Sequence, residues 1–456
     1  MDKPRILYIG FGIEPFMRGG AITYQESLLE SLQAQGWEVF FYLSAPRYTY
    51  QDKPRIRRRL HRGITILELV DPPYHYGHNY APIQQCHHPD IERLSRDVLD
   101  EVRPDIVHIH ELQFHTAALM DIVVDKGIPA LKTMHNYYDL CPEGNLMYQG
   151  KEPCTDYDDG QRCMVCLSRR PLFFTNFKIR LAQALPLRIH DWLHRCYLSA
   201  LQKIRPQQDG GDTTDPVAPY HAEEYRGRKS FFVERLNRLD AIHCSAQRAA
   251  EIFCDHGIAR EKVKVIPLSV RILDSIKPQA IRGHQYPVVF GFIGGRNLHK
   301  GYHVLVDAFS RLDQTKCHLI VWGDSEADPA CRELNVEFRE KYNPDEINEL
   351  FDEVDVFVVP SVWEEIFGII GIECRTAGIP VIGSRIGGIP DWLTDGESGF
   401  LVTPGHPEEL ARVMERFVSD PALISEMQRR IKPWKRFDDH VNEMLGLYRA
   451  MVHEKQ

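Results

Sequence analysis

Two glutamates, Glu365 and Glu373, stand where a short apolar run passes into a helix. The run is Val356-Phe357-Val358-Val359, suited to a strand buried on both faces. The stretch that follows reads Pro360-Ser361-Val362-Trp363-Glu364-Glu365-Ile366-Phe367-Gly368-Ile369-Ile370-Gly371-Ile372-Glu373. Beyond Gly368 it can continue as a helix that turns Ile369, Ile372 and Cys374 toward the strand. Glu365 then falls in the turn and Glu373 about two helical turns deeper. Both carboxylates can accept hydrogen bonds from hydroxyls, and a sugar and a ribose are rich in hydroxyls. Gly368 allows a bound group close to the backbone, with Ile366 and Phe367 beside it, and the helix start offers unpaired N–H groups. The plainer reading is a solvated turn glutamate plus a helix carboxylate.

A second cluster suits phosphate. Val288-Val289-Phe290-Gly291-Phe292-Ile293 is a strand that runs into Gly294-Gly295. Arg296 and Lys300 follow, then Gly301 and a helix over Tyr302–Phe309. Two cations beside a glycine turn and a helix N-terminus suit a diphosphate. A third loop, Gly19-Gly20, opens a helix whose inner face would be Ala21, Tyr24, Leu28 and Leu32, and it too can take a phosphate. Only Gly10-x-Gly12 remains of a dinucleotide fingerprint, and Ser44 rather than an acid follows the second strand, which argues against an NAD-dependent dehydrogenase.

The glutamate pair closely resembles the motif of retaining glycosyltransferases of family 4, which have the GT-B fold. In that family the first glutamate faces the donor sugar and the second grips the nucleotide ribose, which puts Glu365 and Glu373 in those roles. The resemblance extends to Arg296 and Lys300 as holders of the donor phosphates, at slightly shorter spacing than usual. It also covers Gly19-Gly20 as the loop nearing those phosphates, and Asp395-Gly396-Glu397-Ser398-Gly399-Phe400-Leu401-Val402 as a closing turn and strand. His135, after Ala130-Leu131-Lys132-Thr133-Met134, resembles the histidine that touches the donor sugar; read by itself it is a structural residue at a strand end. Where the family commonly has glutamate, Gly387-Gly388-Ile389-Pro390-Asp391 ends in aspartate, one methylene shorter. The likeness is strong over 288–410, patchy over 5–44 and 103–140, and absent over 142–230.

These residues need a scaffold of matching size. A chain of 456 residues exceeds one core, so two domains are expected. The 43% apolar and 26% charged content is that of a globular protein, and a net charge of −9 gives no reason to expect nucleic acid. No run is long enough to span a membrane, and Arg5-Ile6-Leu7-Tyr8-Ile9-Gly10 reads as a buried strand rather than a signal peptide. A cytoplasmic enzyme follows. With the resemblance, the expected architecture is α/β: two Rossmann-like doubly wound parallel sheets facing a central cleft. Residues 1–268 form the acceptor-side domain, 269–286 a linker, and 287–433 the nucleotide-sugar domain with the donor subsite at Gly295, Arg296, Lys300, Glu365–Gly368 and Glu373. Residues 434–456 form a helix returning to the first domain.

Residues 45–88 read as irregular. Their His75, His78, His87 and His88 fit no standard ligand spacing, so a polar surface loop is expected there. Pro89 starts a helix to about Glu101, and a strand follows over 105–110. Ser245 would cap the helix that Gly257 ends.

Two inserts fall outside the resemblance. Cys141, Cys154, Cys163 and Cys166 occupy a loop over 141–166 that is rich in turn residues. Eleven cysteines without a secretion signal suggest reduced thiols or metal ligands. Four thiolates can close a structural zinc site or hold an iron–sulfur cluster, and unligated thiols or disulfides are the alternatives. The second insert spans 167–222. Its segment 167–208 carries eight Lys/Arg against one acid, Asp191, with Phe173, Phe177, Leu181, Leu185, Trp192 and Leu193 near helical spacing. It reads equally as a helix on an anionic membrane surface or as a helix packed on its own domain.

The function that follows is a transferase moving a sugar from a nucleoside-diphosphate donor to a glycan, lipid-linked or polysaccharide acceptor. Glu365, Lys300, Arg296 and His135 would be catalytic, and no catalytic metal would be required, since the two cations serve the leaving diphosphate. A GT-B sugar-nucleotide epimerase and a non-catalytic sugar-nucleotide-binding protein are the alternatives.

Overall fold

The fold is that of a computed structural model, which describes residues 3–13, 19–47, 53–73, 81–167, 220–281 and 286–454. The basic stretch beyond Leu167, together with His75 and His78, lies outside them. Two sheets carry the chain, with helices connecting successive parallel strands.

The first sheet has eight strands in the order Val263–Val265, Ala241–Cys244, Ala130–Met134, Ile106–Ile109, Arg5–Gly10, Glu38–Arg47, Ile64–Val70, Arg55–His61. Ile6 sits opposite Val39 on one side and Ile106 on the other, both parallel. Such strands are covered on both faces, so Ile6, Leu7, Ile9, Val107 and Ile109 are fully or almost fully buried. The edge differs from expectation. Within 45–88, expected to be irregular, Arg55–His61 and Ile64–Val70 pair antiparallel as a hairpin. Ile66, Leu67, Leu69 and Val70 are buried, while Arg57 and Arg58 of the outer strand are exposed. An arginine-rich edge discourages pairing with another chain, and it also hides the strand pattern.

The second sheet has six parallel strands in the order Val336–Arg339, Cys317–Trp322, Val288–Ile293, Val356–Val359, Val381–Ser384, Gly399–Val402. In chain order this is 3-2-1-4-5-6, the doubly wound arrangement of a nucleotide-binding sheet. Its winding reverses between Val288–Ile293 and Val356–Val359. Loops leaving those two strands part there, and open α/β sheets bind ligands at such a point. Phe290, Val321, Val356, Leu305, Phe309, Met414 and Phe417 form one core between sheet and helices. Each large apolar side chain buried there contributes about 1.5–3 kcal/mol.

Contacts gather the chain into two compact units. One comprises Met1–Arg18, Leu32–Lys132 and Asp156–Asp240; the other comprises Gly19–Ser31, Thr133–Thr155 and Ala241–Gln456. Every candidate donor-site residue named above lies in the second unit.

Candidate active site

The reversal point of the six-stranded sheet brings two loops together. Gly294–Gly301 leaves the first strand of that sheet, and Pro360–Gly368 leaves the fourth. Gly301 sets their spacing. Its φ is +78°, and a Cβ there would overlap the Pro360 carbonyl, so only glycine lets the loops lie in backbone contact. Gly301 is also the N-cap of the helix Tyr302–Ser310, whose first N–H groups therefore open at this junction.

Across the junction Lys300 Nζ donates to Glu365 Oε1 at 2.6 Å, and Ser361 Oγ donates to Glu365 Oε2 at 2.8 Å. Glu365 is 7% exposed. Burial by itself would raise its carboxyl, but the Lys300 ammonium and the Ser361 hydroxyl override that and hold it below the ordinary carboxylate value. Glu365 is therefore an ionised acceptor with both oxygens engaged. The Lys300 ammonium also lies 5.4 Å from the Trp363 ring centroid.

Glu373 sits on the helix Ile369–Ala377, whose N-cap Gly368 takes a left-handed conformation. Ile372 and Cys374 are fully buried and Ile369 partly so. Glu373 is itself buried, and burial pushes its carboxyl up to about 7. A carboxyl with this character binds best when a ligand supplies hydroxyl donors to its ionised form. Ile366 and Phe367 are buried, and the Trp392 indole donates to the Phe367 carbonyl at 2.5 Å, which fixes the start of the turn's helix.

The remaining candidates fall into two groups. Gly20 abuts the same helix: a Cβ on it would lie 2.5 Å from Ile369 Cδ1. His135 packs edge-on against Tyr24, four residues into the helix that Gly20 opens, with ring centroids 5.5 Å apart. The Tyr24 hydroxyl and His440 Nε2 are 2.8 Å apart, which ties the C-terminal helix Phe437–Glu454 to the same place. Within that first helix Tyr24, Leu28 and Leu32 are buried as expected, but Ala21 is exposed. Arg296 belongs to a different network. Its Nε donates to Asp324 Oδ2 at 2.5 Å and its Nη2 lies 3.7 Å from Glu326, so its charge is directed to the turn after Cys317–Trp322 and not to Glu365.

The four cysteines do not meet as ligands. Among the described residues no three His, Cys, Asp or Glu side chains are grouped as a metal ion would need. Cys163 and Cys166 lie on the helix Gln161–Leu167, where their field acts on Tyr225. Cys141 and Cys154 flank the small hairpin of Met147–Tyr148 and Glu152–Pro153. No step of the chemistry is assigned to a metal.

Three contributors were not legible in the sequence. Ser361 lies four residues before Glu365, a spacing that alone could have suggested a side-chain contact across the turn. Glu364 pairs with Arg248, 116 residues away. Asp391 caps a helix start 144 residues away, accepting from the Gln247 N–H at 2.5 Å. That last contact corrects the expected cap: the N-cap is Ala246, which gives no side-chain bond, and the buried Ser245 Oγ has no hydrogen-bond partner among the described residues.

Comparison with known proteins places the chain's family and fold. Residues 287–420 match the family described as Glycosyl transferases group 1, and residues 18–159 match Glycosyltransferase Family 4. A D-inositol 3-phosphate glycosyltransferase of Streptomyces avermitilis is 39% identical over 94 residues, which is 21% of this chain and 20% of that relative. The chain thus spans about a fifth of that relative's length. Among solved structures, sucrose-phosphate synthase from Thermosynechococcus elongatus superposes with a TM-score of 0.62 at 17% identity, covering 99% of this chain and 100% of that one. Anabaena HepE, solved with UDP-glucose, gives a TM-score of 0.58 at 14% identity over 98% of this chain and 99% of that one.

Proposed function

The chain belongs to the GT-B glycosyltransferases of the group 1 and family 4 type, and from that premise we propose that it moves a sugar from a nucleoside-diphosphate donor to a glycan, lipid-linked or polysaccharide acceptor, with retention at the anomeric carbon. The observation that carries the reading is the Lys300–Glu365–Ser361 network at the reversal point of a 3-2-1-4-5-6 sheet. HepE, of like fold, was solved with UDP-glucose, which favours the same donor class here.

In this reading the donor's diphosphate lies over the Gly294–Gly301 loop. As the sugar–phosphate bond breaks, charge builds on the leaving phosphate. The Lys300 ammonium and the start of the helix Tyr302–Ser310 meet that charge, and Glu365 keeps the ammonium aimed before the donor arrives. Arg296 would join only by sharing Asp324. Glu365 and the backbone of Ile366–Gly368 orient the sugar, Glu373 accepts from the ribose hydroxyls, and His135 with Gly19 and Gly20 borders the donor from the other loops. With no protein nucleophile assigned, the acceptor hydroxyl attacks from the leaving-group face and passes its proton to a donor phosphate oxygen. The acceptor class rests on the basic stretch 167–208, whose docking to an anionic inner membrane face would make a cytoplasmic enzyme peripheral. Among the described residues no helix is long and apolar enough to cross a membrane.

The test is a panel of UDP-, GDP- and ADP-sugars with and without candidate acceptors. Free nucleoside diphosphate supports transfer. An isomerised sugar nucleotide with no diphosphate released would point to an epimerase, and binding without any product to a carrier.

A further inference from the structure

The turn that carries Glu365 is held by more than Lys300 and Ser361. Its neighbour Glu364 points the other way and bonds two partners at once. Glu364 Oε1 accepts from Arg248 Nη2 at 2.9 Å and from Nε at 3.3 Å. Glu364 Oε2 accepts the Gly387 N–H at 3.0 Å. The next amide, Gly388 N–H, donates to the Glu365 carbonyl at 2.7 Å. Gly387 has a φ of +55°, and a Cβ there would overlap the Glu365 backbone. The Gly387-Gly388 loop is thus laid directly on the Glu365 peptide, and the Glu364 carboxylate clasps it.

The cation in this clasp is itself positioned. Arg248 is the second residue of the helix Gln247–Asp255, and the Gln247 N–H at the head of that helix is accepted by Asp391 at 2.5 Å. Asp391 lies in the short helix Ile389–Trp392, which the Gly387-Gly388 turn opens. The helix start, the loop and the glutamate turn therefore close a ring of contacts: Asp391 fixes Gln247, Arg248 grips Glu364, Glu364 holds Gly387, and Gly388 holds Glu365. All of these residues belong to the second compact unit.

We infer that Arg248 is a positioning residue for sugar transfer, acting through Glu364 to set the backbone of the turn that presents Glu365. The inference rests on the transferase reading for its kinetic consequence but not for its structural one. Among the described residues the hydrogen bonds and ion pairs of Arg248 run to Glu364 and Glu251, so its loss should displace the sugar-facing turn while leaving the phosphate end of the site intact. Arg248 Nη1 also lies 3.7 Å from Glu251, and 44% of the side chain is exposed, so its tie to overall stability is weak. Its worth is geometric, because a displaced reacting group costs rate far more than stability.

The experiment compares Arg248→Ala, Arg248→Lys, Glu364→Gln and the Arg248→Ala/Glu364→Gln pair. Hydrogen–deuterium exchange is read first. Faster exchange in peptides spanning Trp363–Gly368 and Gly387–Asp391 is expected in Arg248→Ala, with peptides of the strand Val288–Ile293 unchanged. Steady-state diphosphate release is read second. Arg248→Ala should lower kcat roughly ten- to hundredfold with the donor KM within about twofold. Arg248→Lys should recover part of the rate, and the paired variant should be no worse than the more damaged single one. Unchanged exchange in Arg248→Ala overturns the inference whatever the kinetics show. Wild-type kcat in that variant, or losses that multiply in the pair, overturns it as well. If wild-type protein released no diphosphate from any donor, the transferase reading would fail, and the exchange result would still decide the clasp.

Discussion

Replacing Glu373 by Gln isolates the cost of one buried charge. The carboxyl is pushed from an ordinary 4.5 to about 7 by burial. Below about pH 4.5 it is protonated in both the folded and the unfolded chain, and it costs nothing. Between 4.5 and 7 the unfolded chain gives up its proton while the folded chain keeps it, so stability falls as pH rises through that interval and levels off above it. The gap of 2.5 pH units between 4.5 and about 7, at roughly 1.4 kcal/mol each, bounds the penalty at about 3–4 kcal/mol. Glutamine has the same shape and never ionises. Relative to wild type, Glu373→Gln should therefore gain on the order of 3 kcal/mol on going from pH 5 to pH 8.

The assay is parallel urea or thermal denaturation of the two proteins at pH 5, 6, 7 and 8. Only the difference between them is read, since every other titrating group cancels in it. An isothermal titration with a nucleoside diphosphate adds an independent check. If ribose hydroxyls grip the ionised carboxylate, binding near pH 7 should release roughly half a proton in wild type and none from this position in the variant. A stability difference that stays flat from pH 5 to pH 8 would refute the reasoning, because it would mean that Glu373 is not desolvated in the folded state.

Lys300→Ala should cut transfer by about 10²–10³-fold, the range expected for losing one preorganised contact to developing charge, as measured by diphosphate release. Ser361→Ala removes one of the donors that hold Glu365 ionised, so the acid limb of the kcat/KM profile should move to higher pH; a profile that does not move would remove Ser361 from the network. Asp391→Ala should cost about 1 kcal/mol through loss of the helix cap at Gln247, with Asp391→Asn close to wild type in a melting experiment. Liposomes rich in anionic lipid should pellet the full chain, and Trp192→Glu should abolish that; failure to pellet would leave the basic stretch as a packed helix.

What the sequence disclosed follows a physical division. Buried parallel strands announce themselves, because both faces are covered and every residue is apolar, as in Val356–Val359 and Val288–Ile293. Edge strands do not. Arg55–His61 holds four arginines, three of them consecutive, and reads as a charged loop until Ile64–Val70 is known to lie beside it. The same division runs through the site. Glu365, Glu373 and Lys300 stand at fixed short distances from strand ends and glycines, so local spacing points to them. The identity of each partner depends on where the chain returns, and spacing carries no trace of it. Arg248 with Glu364 and Gln247 with Asp391 join segments more than a hundred residues apart. Nothing in Ser245-Ala246-Gln247 marks a cap supplied from elsewhere, which is why the nearby serine was the natural expectation. For the cysteines too, loops of twelve and eight residues between thiols leave the meeting of side chains undetermined by spacing. Chemistry written into one turn can thus be read from residue types, whereas the precision with which that turn is held is a property of contacts that only the folded chain brings about.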